Sequence, residues 1–247
     1  RRWPPPVGDR VRWRHAARPP NFRTMPDDTR RLISIVTPCY NEEEAIGPFF
    51  AAADAVLKDM RLEFVFIDDG SRDATVALLK ARAQQDPRVK VVVLARNFGK
   101  EAALSAGLDA ALGDLVLLMD ADGQHPVSLV PDMLQRWREG ADVVYAVRKT
   151  RDDQSALHAR LTDWFYRLIN WGTRVKIPPN AGDFRLMDRK VVEALKAMPE
   201  RNRFMKGLYA WVGFQSTAID YEPLPRMGGE SQFGLRGAFG LAITGML

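Results

Sequence analysis

Short apolar runs alternate with longer segments of helical periodicity between residues 32 and 148. The short runs are apolar throughout rather than at every second position, which is typical of strands buried on both faces. Helices between such strands predict crossover connections and a parallel sheet, so this region is predicted to be a doubly wound α/β unit. The predicted strands are residues 32–38, 62–68, 89–95, 114–120 and 142–148, and the predicted helices are residues 43–60, 73–85, 100–112 and 126–140.

The alternation stops after Arg148. Residues 152–172 have helical spacing and an aromatic stripe, which favours a helix packed on a core. Residues 180–189, NAGDFRLMDR, are expected to form a polar loop. Helices are expected at about 188–198 and 203–212, and the segment 212–226 predicts a strand that leaves the core.

The basic residues are concentrated at the start of the chain. Residues 1–31 hold nine arginines and three aspartates, a charge of +6 against +5 for the whole chain, so the remainder carries −1. This Arg/Pro-rich leader has no apolar period and is predicted to be flexible, as a non-native extension or as a contact for anionic lipid. Because the rest of the chain is not basic, a nucleic-acid partner is not indicated.

The other end of the chain is apolar. Residues 237–247, GAFGLAITGML, are too few for a membrane-spanning helix, which needs about 20 apolar residues. An interfacial helix, the start of a transmembrane segment and a core helix all remain open. We therefore divide the chain into a leader (1–31), one α/β domain (32–225) and an interfacial amphipathic segment (226–247). A single cysteine, Cys39, excludes an internal disulfide framework and a cysteine-based zinc site.

Unusual polar residues follow four of the predicted strands. In open α/β sheets, ligands bind in the crevice outside the carboxyl ends of the strands. Any one of these loops could simply cap the next helix, but four together favour a site. The residues are Pro38, Tyr40, Asn41 and Glu42; Asp68, Asp69, Gly70 and Ser71; Arg96, Asn97 and Gly99; Asp120 and Asp122.

Asp120, Asp122 and Gln124 place oxygen ligands on one short turn. Mg²⁺ or Mn²⁺ is held in this way by one or two carboxylates together with substrate phosphates. Glycine-rich phosphate loops do not follow any of the predicted strands, which argues against a dinucleotide dehydrogenase or a P-loop enzyme. Lys100 and Arg96 are the candidate partners for phosphate.

Five segments together resemble the family 2 glycosyltransferases with the GT-A fold, and more narrowly the polyisoprenyl-phosphate glycosyltransferases. The resemblance extends from Leu32 to Ser231 and implies a Rossmann-like, mostly parallel sheet with helices on both faces. It also implies metal-dependent, inverting transfer of a hexose from a nucleotide-diphospho-sugar, with UDP-glucose or similar favoured, to polyprenyl (undecaprenyl) phosphate. The segments are TPCYNEEE (37–44), FIDDGSRDAT (66–75), LARNFGKEAALSAGL (94–108), MDADGQHP (119–126) and NAGDFRLMDR (180–189).

The same resemblance implies roles for individual residues. One departure is Gln232, which stands where the family has a basic residue in a phosphate-binding stretch, here RMGGESQ (226–232). The expected nucleotide-sugar ligands are Pro38, Tyr40, Glu42, Asp69, Asp120 and Asp122, to which Lys100 is added as a phosphate partner. The expected metal ligands are Asp120, Asp122 and Gln124; the catalytic residues are Asp122, Asp183 and Arg185; and the acceptor phosphate meets Arg185, Arg226 and Ser231.

The resemblance implies that the protein acts at the bacterial inner membrane, with its catalytic domain on the cytoplasmic side. It also leaves a homo-oligomer open as the assembly state. Two alternatives stay open. One is a family 2 transferase with a soluble or polysaccharide acceptor, although Gln135, Arg136 and Trp137 lack the spacing found in processive synthases. The other is a non-catalytic module that binds nucleotide sugar.

Overall fold

The structure is a computed structural model that describes residues 31–149, 181–200 and 203–225. In these residues a seven-stranded sheet has the order β3-β2-β1-β4-β6-β5-β7. The strands are β1 (Leu32–Cys39), β2 (Arg61–Asp68), β3 (Val89–Val93), β4 (Leu115–Leu118), β5 (Val143–Arg148), β6 (Ala181–Asp188) and β7 (Ser216–Tyr221). The helices are α1 (Ile46–Leu57), α2 (Thr75–Gln85), α3 (Lys100–Ala110), α4 (Val130–Arg138), α5 (Arg189–Lys196) and α6 (Met205–Trp211), with a 3₁₀ turn at Val127–Leu129.

The predicted parallel sheet is confirmed. Strand β1 pairs in parallel with β2 and β4, β2 with β3, and β5 with β7. Each predicted strand and helix that falls in the described residues overlaps an observed one, and the strand expected within 212–226 is β7 at the sheet edge.

Alternate residues of the central strands pack on opposite faces of the sheet. In β2, Phe64 and Phe66 belong to one buried cluster, and Val65 and Ile67 belong to another. Helices α1 and α4 contribute to the first cluster, whereas α3, α5 and α6 contribute to the second. Strands covered on both faces must be apolar throughout, which accounts for the continuous runs in the sequence.

The prediction of a polar loop at residues 180–189 is wrong. This segment contains β6, which lies inside the sheet and runs antiparallel to both of its neighbours, β4 and β5. Phe184, Leu186 and Met187 are buried in the core, while Asp183 and Arg185 stand where β4 ends. The charged residues made this segment look like a surface loop in the sequence. They are charged because they belong to the site and not to the surface.

Several predictions concern residues outside the described ranges. They are the leader (apart from Arg31), the aromatic helix at 152–172 and the terminal segment 226–247, which includes Arg226 and Ser231. Among the described residues, no helix is both long enough and apolar enough to cross a membrane.

A buried glutamate accepts hydrogen bonds from several segments at the end of the sheet opposite the site. Glu63 is 5% exposed. Its carboxylate accepts hydrogen bonds from the Ser34 hydroxyl, from the Leu112 N–H at 2.5 Å and from the Lys90 ammonium at 2.6 Å. Burial acts to raise the pKa of Glu63, but the hydrogen bonds from Lys90, Ser34 and Leu112 outweigh it and hold the pKa below its usual range.

We expect Glu63→Ala to lower the free energy of unfolding by about 3 kcal/mol, because it leaves buried donors without an acceptor. The pKa of Glu63 is lower in the folded state, so this stabilisation is complete above the unfolded pKa of about 4.3 and is lost as pH falls through the folded pKa. Urea unfolding at pH 7 and at pH 3 measures both effects. The control is Glu193→Ala, at an exposed position of α5, which we expect to change stability by less than about 0.5 kcal/mol. A Glu63→Ala cost equal to the control's, or one that does not shrink at pH 3, would contradict the prediction.

Candidate active site

The loops that follow β1 and β2 are hydrogen-bonded to each other. The backbone N–H of Asn41 donates to the Ser71 hydroxyl at 2.9 Å, and the Asn41 side chain accepts from the Arg72 N–H at 2.8 Å. The Glu42 N–H donates to the Thr75 hydroxyl at 2.8 Å. Asn41 has a φ of 55°, in the left-handed region that asparagine tolerates better than most residues. These bonds fix the loop that carries Tyr40.

A cavity of about 370 Å³ opens at the carboxyl ends of β1, β2 and β3. Its volume lies in the range of small-molecule sites, and its position is the crevice expected for ligands of α/β sheets. Tyr40 lines it, whereas Pro38 lies in β1 opposite Ile67. The lining residues are Tyr40, Asp68, Gly70, Ser71, Arg72, Val76, Val93, Leu94, Ala95, Arg96 and Asn97.

The two acids at the end of β2 have different partners. Asp68 lines the cavity, and its carboxylate accepts from backbone N–H groups of its own loop. Asp69 instead accepts from the N–H groups of Phe98 at 2.7 Å and Gly99 at 2.8 Å. The structure therefore places Asp69 as an anchor for the loop that precedes α3. Its expected contact with a nucleoside stays a prediction.

The turn after β4 is held by its own residues and by a histidine. The Asp122 carboxylate accepts from the Gln124 N–H at 3.0 Å. The backbone N–H of Asp120 donates to Nδ1 of His125 at 3.1 Å, and the His125 ring stacks on Phe184 with 4.7 Å between ring centroids. Nδ1 can accept only when the imidazole is neutral, and burial lowers the pKa of His125 in that direction.

Strands β4 and β6 bring two acids to the same end of the sheet. Their antiparallel pairing ends at Leu118 and Arg185, and Asp120 and Asp183 each lie two residues beyond this pair. Lys100, the first residue of α3, lies between them. Its ammonium is 2.8 Å from the Asp120 carboxylate and 3.0 Å from the Asp183 carboxylate. The structure thus joins three predicted site residues through direct ion pairs.

These ion pairs fix the charges of the site. Burial acts to raise the pKa of Asp183, but the ammonium of Lys100, with Lys206 and Arg185 nearby, outweighs it and holds the pKa well below its usual range. Burial acts to lower the pKa of Lys100, but the carboxylates of Asp120 and Asp183 hold it well above its usual range. Both groups stay charged at neutral pH, so Asp183 is a weak base.

Arg185 is buried beside these ion pairs. It is 4% exposed, its guanidinium carbon lies 3.5 Å from the centroid of the Tyr209 ring, and it donates to the Gly182 carbonyl at 2.6 Å. Its Nε and the Tyr209 hydroxyl are buried and have no hydrogen-bond partner among the residues that the structure describes. The positive charge of Arg185 is therefore incompletely satisfied, as expected of a group that awaits an anion.

Helix α6 is joined to this region through Glu101. The Glu101 carboxylate accepts from the Met205 N–H, at the first residue of α6, at a distance of 3.0 Å. Burial and the nearby charge of Asp183 raise the pKa of Glu101 to about 7.

Comparisons with known proteins match this architecture. The model of glycosyl transferase family 2 matches residues 34–196. The chain belongs to this family. The glycosyltransferase is 45% identical over 216 residues to the bactoprenol glucosyl transferase of Shigella phage SfV, covering 87% of this chain and 70% of the relative. The family predicted from the sequence motifs, and the assignment as an enzyme, are confirmed.

Solved structures of glycosyltransferases share the fold. The mannosyl-3-phosphoglycerate synthase of Rubrobacter xylanophilus superposes with a TM-score of 0.59 at 18% identity, covering 87% of this chain and 71% of that one. The mannosyltransferase of Pyrobaculum calidifontis, solved with GDP-Man and Mn²⁺, gives a TM-score of 0.51 at 21% identity, covering 77% of this chain and 55% of that one. The predicted GT-A fold is confirmed.

The glycosyltransferase offers a small set of donors for a metal. Asp120 and Asp122 supply carboxylates on one turn. In the described parts of the chain, His, Cys, Asp and Glu do not form any group of three or more that could hold a metal. Two carboxylates fit Mg²⁺ or Mn²⁺ when substrate phosphates complete the shell. The donor set therefore suits a metal that shares its ligands with a diphosphate.

Sequence reasoning missed several residues of the site. His125, in the quoted motif MDADGQHP, had a visible signal because it directly follows Gln124. Glu101 and Tyr209 carried no signal of a site in the sequence. Each lies in a helical segment, where its spacing is that of an ordinary core or surface residue. Only the fold brings them beside Asp183 and Arg185.

Gly70 sets the distance between the cavity loops. It has a φ of 76°, and a Cβ at this position would lie 2.7 Å from the backbone of Arg96 and of Asn97. We expect Gly70→Ala to cost about 2 kcal/mol of stability through left-handed strain and this overlap. We further expect it to weaken nucleotide binding at least about tenfold, measured by calorimetry with UDP.

The matched control is Gly47→Ala in α1, where the added Cβ meets nothing within 4 Å. We expect it to leave UDP affinity unchanged and to stabilise the helix by about 0.5 kcal/mol. Equal UDP affinities in the two variants would show that the Gly70 loop does not shape the nucleotide site.

Proposed function

We propose that this glycosyltransferase transfers a hexose, with inversion, from a UDP-sugar to polyprenyl phosphate. The geometric observation that carries this proposal is the pairing of Asp183 with Lys100 at 3.0 Å. Asp183 then stays ionised and is a poor proton acceptor. A hydroxyl acceptor needs a base, whereas a phosphate monoester, with a second pKa of about 6, is already ionised at neutral pH.

The relatives support the same acceptor. The Shigella phage protein, 45% identical to this chain, is named a bactoprenol glucosyl transferase, and bactoprenol is a polyprenyl lipid. A relative in Escherichia coli, at 44% identity, is named a prophage bactoprenol glucosyl transferase homolog. Glucose is therefore the first sugar to test. A lipid acceptor also implies that the enzyme works at the membrane surface, which we propose is the cytoplasmic face of a bacterial inner membrane.

The donor would lie across the carboxyl ends of β1, β2 and β4. The cavity beside Tyr40 would take the nucleoside, and the turn at Asp120 would meet the diphosphate. Pro38, Glu42 and Asp69 are proposed to support the nucleoside from the loops around it. Asp120, Asp122 and Gln124 would hold Mg²⁺ or Mn²⁺, which when bound supplies charge neutralisation for the leaving diphosphate.

The chain's own cations would act on the reacting groups. Lys100 is proposed to stabilise negative charge that develops on the leaving diphosphate, because its ammonium already contacts Asp120. Arg185, incompletely satisfied beside Tyr209, is proposed to receive the acceptor phosphate. Asp183 would position Lys100 rather than remove a proton.

The last described residues contact the turn that carries Gln124. The Leu224 N–H donates to the Gln124 carbonyl at 3.1 Å, so the chain reaches the metal turn two residues before Arg226. Arg226 and Ser231, which lie outside the described residues, are proposed to bind the acceptor phosphate.

We expect release of UDP from UDP-glucose to require both polyprenyl phosphate and a divalent cation. Removing the cation with EDTA should lower turnover at least about a hundredfold, and Mn²⁺ should restore it, because the leaving diphosphate loses its counter-charge. A coupled assay for UDP measures the rate. Polyprenol without phosphate serves as the acceptor control and should be inactive. Undiminished turnover in EDTA would remove the metal from the mechanism, and equal turnover with polyprenol would remove the phosphate acceptor.

We expect Asp122→Asn to lower turnover at least about a hundredfold while changing stability by less than about 1 kcal/mol. The variant keeps the oxygen that accepts from the Gln124 N–H but loses the charge that would bind the metal. Steady-state kinetics and thermal unfolding measure the two effects. Asp109→Asn, an exposed position on α3, is the matched control and should keep the wild-type rate. A near-native rate for Asp122→Asn would exclude Asp122 as a metal ligand.

A further inference from the structure

We propose that Lys100 is a tethered competitor of the metal: its ammonium occupies Asp120 in the free enzyme and yields this carboxylate only when a nucleoside diphosphate binds. The proposal rests on the proposed function, in which Asp120 is a metal ligand. It adds that metal and nucleotide bind together and that Lys100 is the residue that couples them.

The contacts of Lys100 carry this inference. Its Nζ is 2.8 Å from each of the two carboxylate oxygens of Asp120. Both oxygens that a dication would use therefore already face a positive charge. A dication at ligand distance from Asp120 would lie next to the ammonium, and two neighbouring cations repel each other.

Asp183 keeps Lys100 in place. The Asp183 side chain is 15% exposed and lies 3.0 Å from Nζ. If Lys100 swung into solvent, a desolvated carboxylate would lose its counter-ion, which is strongly unfavourable. Lys100 therefore does not simply leave when a metal ion arrives, even though about a third of its side chain is exposed.

A diphosphate changes this balance because it brings negative charge to the same place. The ammonium then gains a phosphate partner in exchange for Asp120, and the dication gains oxygen ligands besides Asp120 and Asp122. The metal can share Asp120 while Lys100 still neutralises Asp183. The consequence is positive coupling: each of the two ligands raises the affinity for the other.

The test measures Mn²⁺ binding by electron paramagnetic resonance or calorimetry, without lipid, first without and then with UDP. Three variants of the full chain are compared with the wild type. Lys100→Met removes the competitor. Lys100→Met combined with Asp183→Asn removes one charge of each sign, so the summed charge of the site is unchanged and no buried acid is left without its counter-ion. Lys190→Met removes a lysine that also lies 2.8 Å from an aspartate, Asp142, but sits outside the site.

We expect Lys100→Met to bind Mn²⁺ alone on the order of tenfold more tightly than the wild type. The double variant should also bind more tightly, although a simple sum of charges predicts no change for it. UDP should raise Mn²⁺ affinity strongly in the wild type and about tenfold less in both Lys100 variants. Lys190→Met should match the wild type throughout.

Wild-type affinity for Mn²⁺ in the double variant would overturn the proposal, because freeing Asp120 would then have no effect. So would weaker binding in either Lys100 variant. These failures leave the proposed function intact as long as wild-type enzyme binds Mn²⁺ in the presence of UDP and Asp122→Asn does not. If wild-type enzyme binds no Mn²⁺ even with UDP, the metal assignment itself fails and the competition fails with it.

Discussion

The site depends on one electrostatic constraint: the carboxylates of Asp120, on the turn after β4, and of Asp183, in β6, lie close enough to contact the same ammonium. Like charges held this close repel, and here both acids are partly withdrawn from water. Lys100 offsets this repulsion because its ammonium contacts both carboxylates. Its position is set in turn by Asp69, which binds the N–H groups of Phe98 and Gly99 immediately before α3. An acid at the end of β2 thus places the cation that the acids of β4 and β6 require.

This arrangement links the two halves of the proposed donor site through a single loop. Residues 94–97 line the cavity on one side, and the loop continues to Lys100 on the other. Gly70 packs against the same loop so closely that a methyl group would not fit. A ligand in the cavity and charge at the metal turn therefore act on the same few residues. The fold provides this link because the three loops follow neighbouring strands β1, β2 and β3.

The sequence was sufficient for the parallel part of the fold and for the grouping of the loops, because strands buried on both faces leave continuous apolar runs. It failed at β6, where Asp183 and Arg185 interrupt the pattern of a central strand. It also gave no sign that the Asp69 carboxylate accepts from backbone N–H groups of the next loop, and the contact of Asp69 with the nucleoside stays a prediction. Both cases have one cause. A sequence shows that an acid is present, but only the three-dimensional structure shows which donor neutralises it.

The proposed reaction brings an anionic acceptor beside an ionised Asp183, and this requires positive charge nearby. Two negative groups approach each other only if positive charge surrounds them, and Lys206 and Arg185 both act on Asp183 together with Lys100. Arg185 is held in a buried position by Tyr209 and by the Gly182 carbonyl, so its charge cannot be screened by bulk solvent. An acceptor without charge would gain little from these cations. Fixed positive charge beside Asp183 therefore favours a phosphate-bearing acceptor, an argument that does not depend on any proton transfer.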